Sequence, residues 1–499
     1  MDFLLGIDQG TTNTKVVLVD SQARVRAVAE RRIATSSPRP DWVEQDPDGM
    51  LRNVLDCVRD VLAQTGIGAD KIAGAGLCNQ TETLVVWDAA TTRPLHPAIV
   101  WQCRRSQPDA QAVQGAGAEI AARTGLDLDP TFTATKLRWL LRERPDIGNQ
   151  LKSGSAQWGT VDSWLIAALS GGAAYVTEPS NASRTMLFDI ARLDFDEDLF
   201  RIFDLALPRR PEVKPSAASF GRFAHAHLGR DIPITGILGD QQAALFGHGC
   251  FDPGMLKASF GTGGFVWLNA GATPPLKDRQ GLLATIAWQL DDKPTYALEG
   301  FVMYAGAVVD WLLRLLQLGS DPTAVEILAR QTENTGGVIL VPAFQGLGSP
   351  WWNAEARATI LGLSAGSDRA QICRAGLEAI CYQTRAVLEA MTRASGSAAT
   401  LVSVDGGMTR SDYIMAMQAA VLKTPLRRAS IIDVAPFGAA LMAGIGAGLW
   451  RGPADISPLM GSGAPIDQAA FAAEPWDDRY EQWRAAVDLT RQWKPDGRA

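Results

Sequence analysis

The chain has 499 residues, 46% hydrophobic and 20% charged, which is the make-up of a folded globular protein and too long for one ordinary core, so two or three domains are expected. The net charge is −7, with acids and bases interspersed and no basic stripe, which argues against a nucleic-acid partner. The six cysteines form no Cys-x-x-Cys pair, so neither a disulfide framework nor a zinc site is expected, and a reducing cytoplasm fits.

At the start, Asp2 and Asp8 bracket a very short apolar run, which does not read as a signal peptide. Gly6-Ile7-Asp8-Gln9-Gly10-Thr11-Thr12-Asn13-Thr14-Lys15 then lies between two apolar runs and predicts strand, tight turn, strand. Gly10 lets the backbone turn, the threonines add hydroxyls and Lys15 adds positive charge, so an oxygen-rich anion suits the concavity. Asp8 beside such an anion is repulsive unless a cation lies between them, and the turn therefore suggests a Mg-nucleotide.

Further along, residues 72–77, 84–87, 234–238, 338–341 and 401–404 read as strands, and 118–123, 136–142, 371–391 and 413–422 as helices. This alternation predicts α/β architecture. His225 and His227 alternate and read as a solvated strand rather than a metal site. Residues 239–249 look like a junction between two halves, with 241–246 helical and Asp240 at its N-cap. The second half repeats the theme of the first, with Ser259-Phe260-Gly261-Thr262-Gly263-Gly264-Phe265 and, after a strand, Asp405-Gly406-Gly407. The apolar segment 435–450 reads as a buried helix, too short to span a bilayer comfortably. No Gly-x-x-x-x-Gly-Lys-Ser/Thr stretch occurs, and Gly444-Ile445-Gly446-Ala447-Gly448 sits in an apolar run where helix packing explains it. These absences exclude a P-loop enzyme and argue against a nicotinamide dehydrogenase.

Asp8-Gln9-Gly10-Thr11-Thr12, Trp101-Gln102-Cys103-Arg104-Arg105, Asn181-Ala182-Ser183-Arg184-Thr185-Met186, Gly239-Asp240-Gln241-Gln242, Gly261-Thr262-Gly263, Ala297-Leu298-Glu299-Gly300, Gly346-Leu347-Gly348-Ser349-Pro350 and Asp405-Gly406-Gly407 follow one another over nearly the whole chain. These motifs, in this order, carry a resemblance to the FGGY carbohydrate kinases, and among them most to the glycerol kinases. It implies two actin-like, ribonuclease-H-like α/β lobes with an active-site cleft between them. Residues 1–246 would form the lobe for substrate and phosphate, and residues 247–499 the nucleotide lobe with a C-terminal helix. It implies ATP-dependent transfer of the γ-phosphoryl group to a hydroxyl of glycerol or a similar small polyol or sugar. By the same resemblance Asp240 is the general base and Asp8 helps to hold Mg²⁺. Thr11, Thr12, Asn13, Lys15 and Thr262 contact phosphate, and Gly306, Asp310, Gly407 and Ser411 line the nucleotide site. Thr81, Glu82, Trp101, Thr131, Asp240, Gln241 and Phe265 form the acceptor pocket. Related kinases form homodimers or homotetramers, so the same is expected here.

The chain departs from the glycerol kinase pattern at two pocket positions. Thr81 stands where those enzymes have Arg, and Thr131 where they have Tyr. Both changes shorten a side chain, one losing a fork of donors and the other an aromatic wall, which hints at a larger acceptor such as a tetritol or short ketose. Ser411 stands where Asn is frequent on the adenosine side. Only His227-Leu228-Gly229-Arg230-Asp231 precedes the strand at Ile232, in place of a Gly-rich inhibitor loop, so no fructose bisphosphate feedback is expected. Trp42, Glu44, Asp46 and Asp48 follow the family pattern, with a structural role expected. A non-catalytic sensor on the same fold is disfavoured because Asp8 and Asp240 are both retained. An actin-like chaperone ATPase is disfavoured because little chain remains for a peptide-binding domain.

Overall fold

The computed structural model describes residues 2–493. Met1 and residues 494–499, the outer ends of the two expected lobes, lie outside the described residues.

Two sheets organise the chain. The first has six strands in the spatial order Ala217–Arg222, Pro233–Gly239, Ile72–Asn79, Phe3–Gln9, Asn13–Asp20, Val25–Arg32. Phe3–Gln9 runs antiparallel to Asn13–Asp20 and parallel to Ile72–Asn79, which is parallel to Pro233–Gly239. Leu4, Leu5, Ile7, Val16, Val17 and Leu18 are buried, as a strand covered on both faces requires. The predicted turn is present, closed by the Gly10 N–H donating to the Asn13 carbonyl at 3.0 Å. The second sheet has seven strands, centred on Met255–Phe260 and Leu401–Asp405. It repeats the plan, with an antiparallel hairpin from Met255–Phe260 to Gly264–Gly271 and a parallel neighbour at Leu401–Asp405. The repeated Gly-rich turns of the sequence are thus equivalent corners of two similar lobes.

The helix Val434–Gly446 crosses back to pack on the first sheet, against Phe3–Gln9, Ile72–Asn79 and Pro233–Gly239. Small residues permit this approach. A Cβ on Gly6 would lie 1.8 Å from the Pro436 carbonyl oxygen, and one on Gly76 1.9 Å from that of Ala439. The same helix meets Asp240–Gly247, where a Cβ on Gly438 would lie 1.9 Å from the Ala243 carbonyl oxygen. Among the described residues no helix is long and apolar enough to cross a membrane.

Two local expectations are corrected. His225 and His227 lie in a short helix, His225–Leu228, ended by Gly229 at φ +69°, not in a strand. Four residues are too few for a period to show, and the left-handed Gly229 is what stops the turn. Asp240 is the first helical residue, and Gly239 before it is the N-cap. The structural role expected of the Trp42 region is present. Asp46 caps the helix Pro47–Thr65, and the Arg105 guanidinium lies 3.9 Å from the Trp42 ring centre while pairing with Glu44 at 2.7 Å.

Candidate active site

Sheet register gathers the first group of residues. Gln9 and Gly239 both align with Asn79. Asp8, the Thr81 and Glu82 pair, and Asp240 therefore collect at the carboxyl ends of three adjacent parallel strands, where open α/β sheets bind ligands. Asp8 Oδ1 is buried with no hydrogen-bond partner among the described residues. Burial, then the nearby charge of Asp240, pushes the Asp8 pKa up to about 7. Asp240 is also pushed up to about 7, by burial and then by Glu82, although the Gln241 N–H donates to its Oδ1 at 2.7 Å. Two carboxylates facing one another without a cation is a repulsive arrangement. The orphaned oxygen of Asp8 suits Mg²⁺, which takes one or two carboxylates and completes its shell with water and phosphate oxygens. Among the described residues no group of three or more His, Cys, Asp and Glu could hold a metal by itself.

The hairpin turn lies beside this edge. Trp101 Nε1 donates to Thr11 Oγ1 at 2.9 Å, which joins the turn to the segment that carries Trp101. Thr12 is exposed. The Asn13 amide bonds Glu30, and Lys15 pairs with Asp433 at 2.8 Å.

The side expected from the resemblance to take the acceptor is built around Glu82, a non-glycine residue at φ +63°. Its Oε1 accepts from Arg184 Nε at 2.6 Å and its Oε2 from the Thr81 hydroxyl at 2.7 Å. Arg184 also reaches Glu299 of the second lobe at 2.8 Å. Thr131 donates to Asp129 at 2.6 Å, and Asp129 pairs with Arg104 at 2.8 Å. Lys136 is fully buried and donates to the backbone carbonyls of Glu82, at 3.1 Å, and Thr131, so it ties two pocket segments together. Burial pushes its pKa down to about 7. Phe265 packs on Phe301 with ring centres 4.8 Å apart.

The second lobe supplies the opposite wall. Ser259 aligns with Asp405, so the two Gly-rich turns that follow are neighbours. The Thr262 carbonyl accepts from the N–H groups of Ala305 and Ala307, both at 3.0 Å, and Gly261 accepts from Gly306 at 2.9 Å. The Thr262 side chain is thereby held exposed at the tip. Gly306 opens the helix Gly306–Leu315, and Asp310 follows one turn later on an exposed position. Gly407 has nothing within 4 Å of where a Cβ would stand. Ser411 caps the helix Asp412–Leu422 through the Ile414 N–H at 3.1 Å and donates to Glu326 at 2.5 Å. Behind these turns Asp405 accepts from His248 at 2.7 Å, and this bond holds its pKa down at about 2 against the opposing effect of burial.

Lys136, Glu326 and Lys257 are not among the residues the sequence singled out, and Arg184 and Glu299 appeared only within motifs. A lone charge inside an apolar run, as at Met255-Leu256-Lys257-Ala258, is the one signal that was readable.

The FGGY family of carbohydrate kinases matches in both parts, its N-terminal domain over residues 3–247 and its C-terminal domain over residues 256–447. Glycerol kinase from Citrifermentans bemidjiense is 44% identical over 99% of this chain and all of its own length. Glycerol kinase from Plasmodium falciparum, solved with ADP, superposes with a TM-score of 0.92 at 32% identity over 98% of both chains. Xylulose kinase from Rhodospirillum rubrum superposes with a TM-score of 0.85 at 25% identity, again over 98% of both. Two actin-like lobes, a glycine-rich hairpin turn repeated in each and agreement of this length with known kinases lead to one assignment: the chain is a phosphotransferase with an alcohol group as acceptor and belongs to the FGGY family of carbohydrate kinases.

Proposed function

We propose that the protein transfers the γ-phosphoryl group of ATP to a hydroxyl of glycerol. The observation that carries this reading is the pairing of Asp8 and Asp240 at one sheet edge, both held near neutrality, in a chain so similar to enzymes named glycerol kinase. In this reading the first lobe holds acceptor and phosphate, and the second holds the nucleotide. Glu82, fixed by Arg184, and Trp101, Gln241 and Phe265 orient the acceptor. Asp240 takes the hydroxyl proton while the acceptor oxygen bonds to the γ-phosphorus and the bond to the bridging oxygen breaks, releasing ADP. A carboxylate raised to about 7 is matched to that task near neutral pH. Thr11, Thr12, Asn13, Lys15 and Thr262 bind phosphate oxygens, with Lys15 exchanging Asp433 for the nucleotide. Gly306, Asp310 and Gly407 line the nucleotide cleft, and Ser411 shapes it as a helix cap. Mg²⁺, held through Asp8, supplies charge neutralisation at the phosphates. The reading carries with it a cytoplasmic homodimer or homotetramer.

A second reading, a longer acceptor, is favoured by the hydroxyls of Thr81 and Thr131. Both donate to neighbouring carboxylates and are shorter than the side chains expected there. An ADP-release screen with Mg-ATP against glycerol, C4 polyols and C3 to C5 ketoses separates the two. Highest kcat/KM on glycerol supports the first, highest on a C4 or C5 acceptor the second, and no turnover on any of them contradicts both.

A further inference from the structure

The strand Met255–Phe260 carries one charged residue, Lys257, at 1% exposure. Its ammonium donates to Gln241 Oε1 and, at 3.1 Å, to Ser259 Oγ. Gln241 follows Asp240 on the helix at the acceptor end, and Ser259 stands two residues before the Gly261-Thr262-Gly263 turn. One buried cation therefore joins a side chain of the acceptor pocket to the root of the opposing phosphate turn.

The cost of this arrangement argues for a role beyond packing. Burial pushes the Lys257 pKa below the usual lysine value, against the pull of Asp405, Asp240 and Glu299. Among the described residues none of these carboxylates comes within ion-pair range of it. A buried ammonium without a direct counter-charge is expensive, and an apolar side chain would fill the same space at less cost.

The geometry points to Lys257 as a positioning residue for phosphoryl transfer: by bonding Gln241 and Ser259 together it fixes the separation of the acceptor hydroxyl from the phosphoryl group delivered at the Thr262 turn. This role rests on the kinase reading above. In-line transfer tolerates little misplacement, and an error of about 1 Å costs about a hundredfold in rate.

The test is steady-state kinetics of Lys257→Met and Lys257→Gln beside wild type, with Mg-ATP and with glycerol and erythritol as acceptor probes, after thermal melting has identified which variants are folded. The expected result for a folded Lys257→Met is kcat lower by about a hundredfold with KM for Mg-ATP within about threefold of wild type. Ser259→Ala added to that background costs nothing further, because the link is already broken. If the Met variant does not fold, the Gln variant takes the same test. A folded variant with kcat within about threefold of wild type, or full additivity with Ser259→Ala, overturns the role. If wild type turns over neither probe, the kinetics are run on whichever C4 polyol or C3 to C5 ketose it does turn over, and a wild type that turns over none of them overturns the acceptor reading and this role with it.

Discussion

Arg184 holds Glu82 by a hydrogen bond of 2.6 Å between Nε and Oε1, and both side chains are buried. The same guanidinium reaches Glu299, so one side chain spans from the first lobe to the second. Glu82 is thus fixed by a cation that also pairs with a carboxylate of the second lobe.

Arg184→Met is expected to lower the urea midpoint by the equivalent of about 3–5 kcal/mol, since two buried carboxylates lose their counter-charge. It also raises KM for the acceptor, because Glu82 is no longer held. An unchanged urea midpoint contradicts the buried pairing.

Asp240→Asn removes the proposed base without changing its size. Transfer is expected to disappear while ADP binding, measured by calorimetry, stays close to wild type. Persistent turnover would show that the proton leaves by another route.

The pH dependence runs in opposite senses for activity and stability. Asp8 and Asp240 are both pushed up to about 7, chiefly by burial. As the proposed base, Asp240 acts when ionised, so kcat/KM for the acceptor is expected to rise with pH through about 7 and then level. A carboxylate raised in the folded state contributes stability that is complete below its unfolded value, 3.8, and is lost as pH rises through about 7. Asp240→Asn should therefore melt higher than wild type at pH 8, with the gain shrinking towards pH 5. Scanning calorimetry at several pH values checks the sign.

Thr81→Arg combined with Thr131→Tyr restores the longer side chains expected of a glycerol pocket in the proposed reading. The ratio of kcat/KM for glycerol to that for erythritol is expected to rise, by up to the factor of about 10–200 that small pocket changes produce. A Cβ on Gly239 would lie 2.6 Å from Thr81 Cγ2, so the added arginine must extend away from that strand. An unchanged ratio means that neither threonine sets acceptor size.

The sequence made the strand-turn corners readable, because apolar runs flanking Gly, Thr and Asp allow few conformations. Asp8, Asp240, Thr262 and Gly407 all sit on such corners, at strand ends that the register aligns. What it did not disclose depends on partners far along the chain. Arg184 gains its meaning from Glu82 and Glu299, and Lys257 from Gln241 and Ser259, and nothing local marks either pairing. Ser411 reads as a nucleotide residue from its position, while its hydroxyl is engaged by Ile414 and Glu326. The helix at His225 was invisible for a different reason, being four residues long.

Gly438→Ala tests the contact between the helices Val434–Gly446 and Asp240–Gly247. The added methyl meets the Ala243 carbonyl at 1.9 Å, so the helices must separate. Overpacking of this kind costs about 1–3 kcal/mol, and the displacement reaches Asp240, so kcat falls as well. Equal stability and kcat would mean that the helices are free to slide.

The packing of Val434–Gly446 on the first sheet also bears on biosynthesis. Strands from residue 3 onward leave the ribosome early, yet the face lined by Gly6 and Gly76 stays bare until residue 446 has emerged. Domains made first ordinarily close first during translation. Here the lobe that is synthesised first is completed only after nearly all of the second has been made, and a nascent chain stalled before residue 434 exposes an apolar, glycine-lined sheet to chaperones or aggregation.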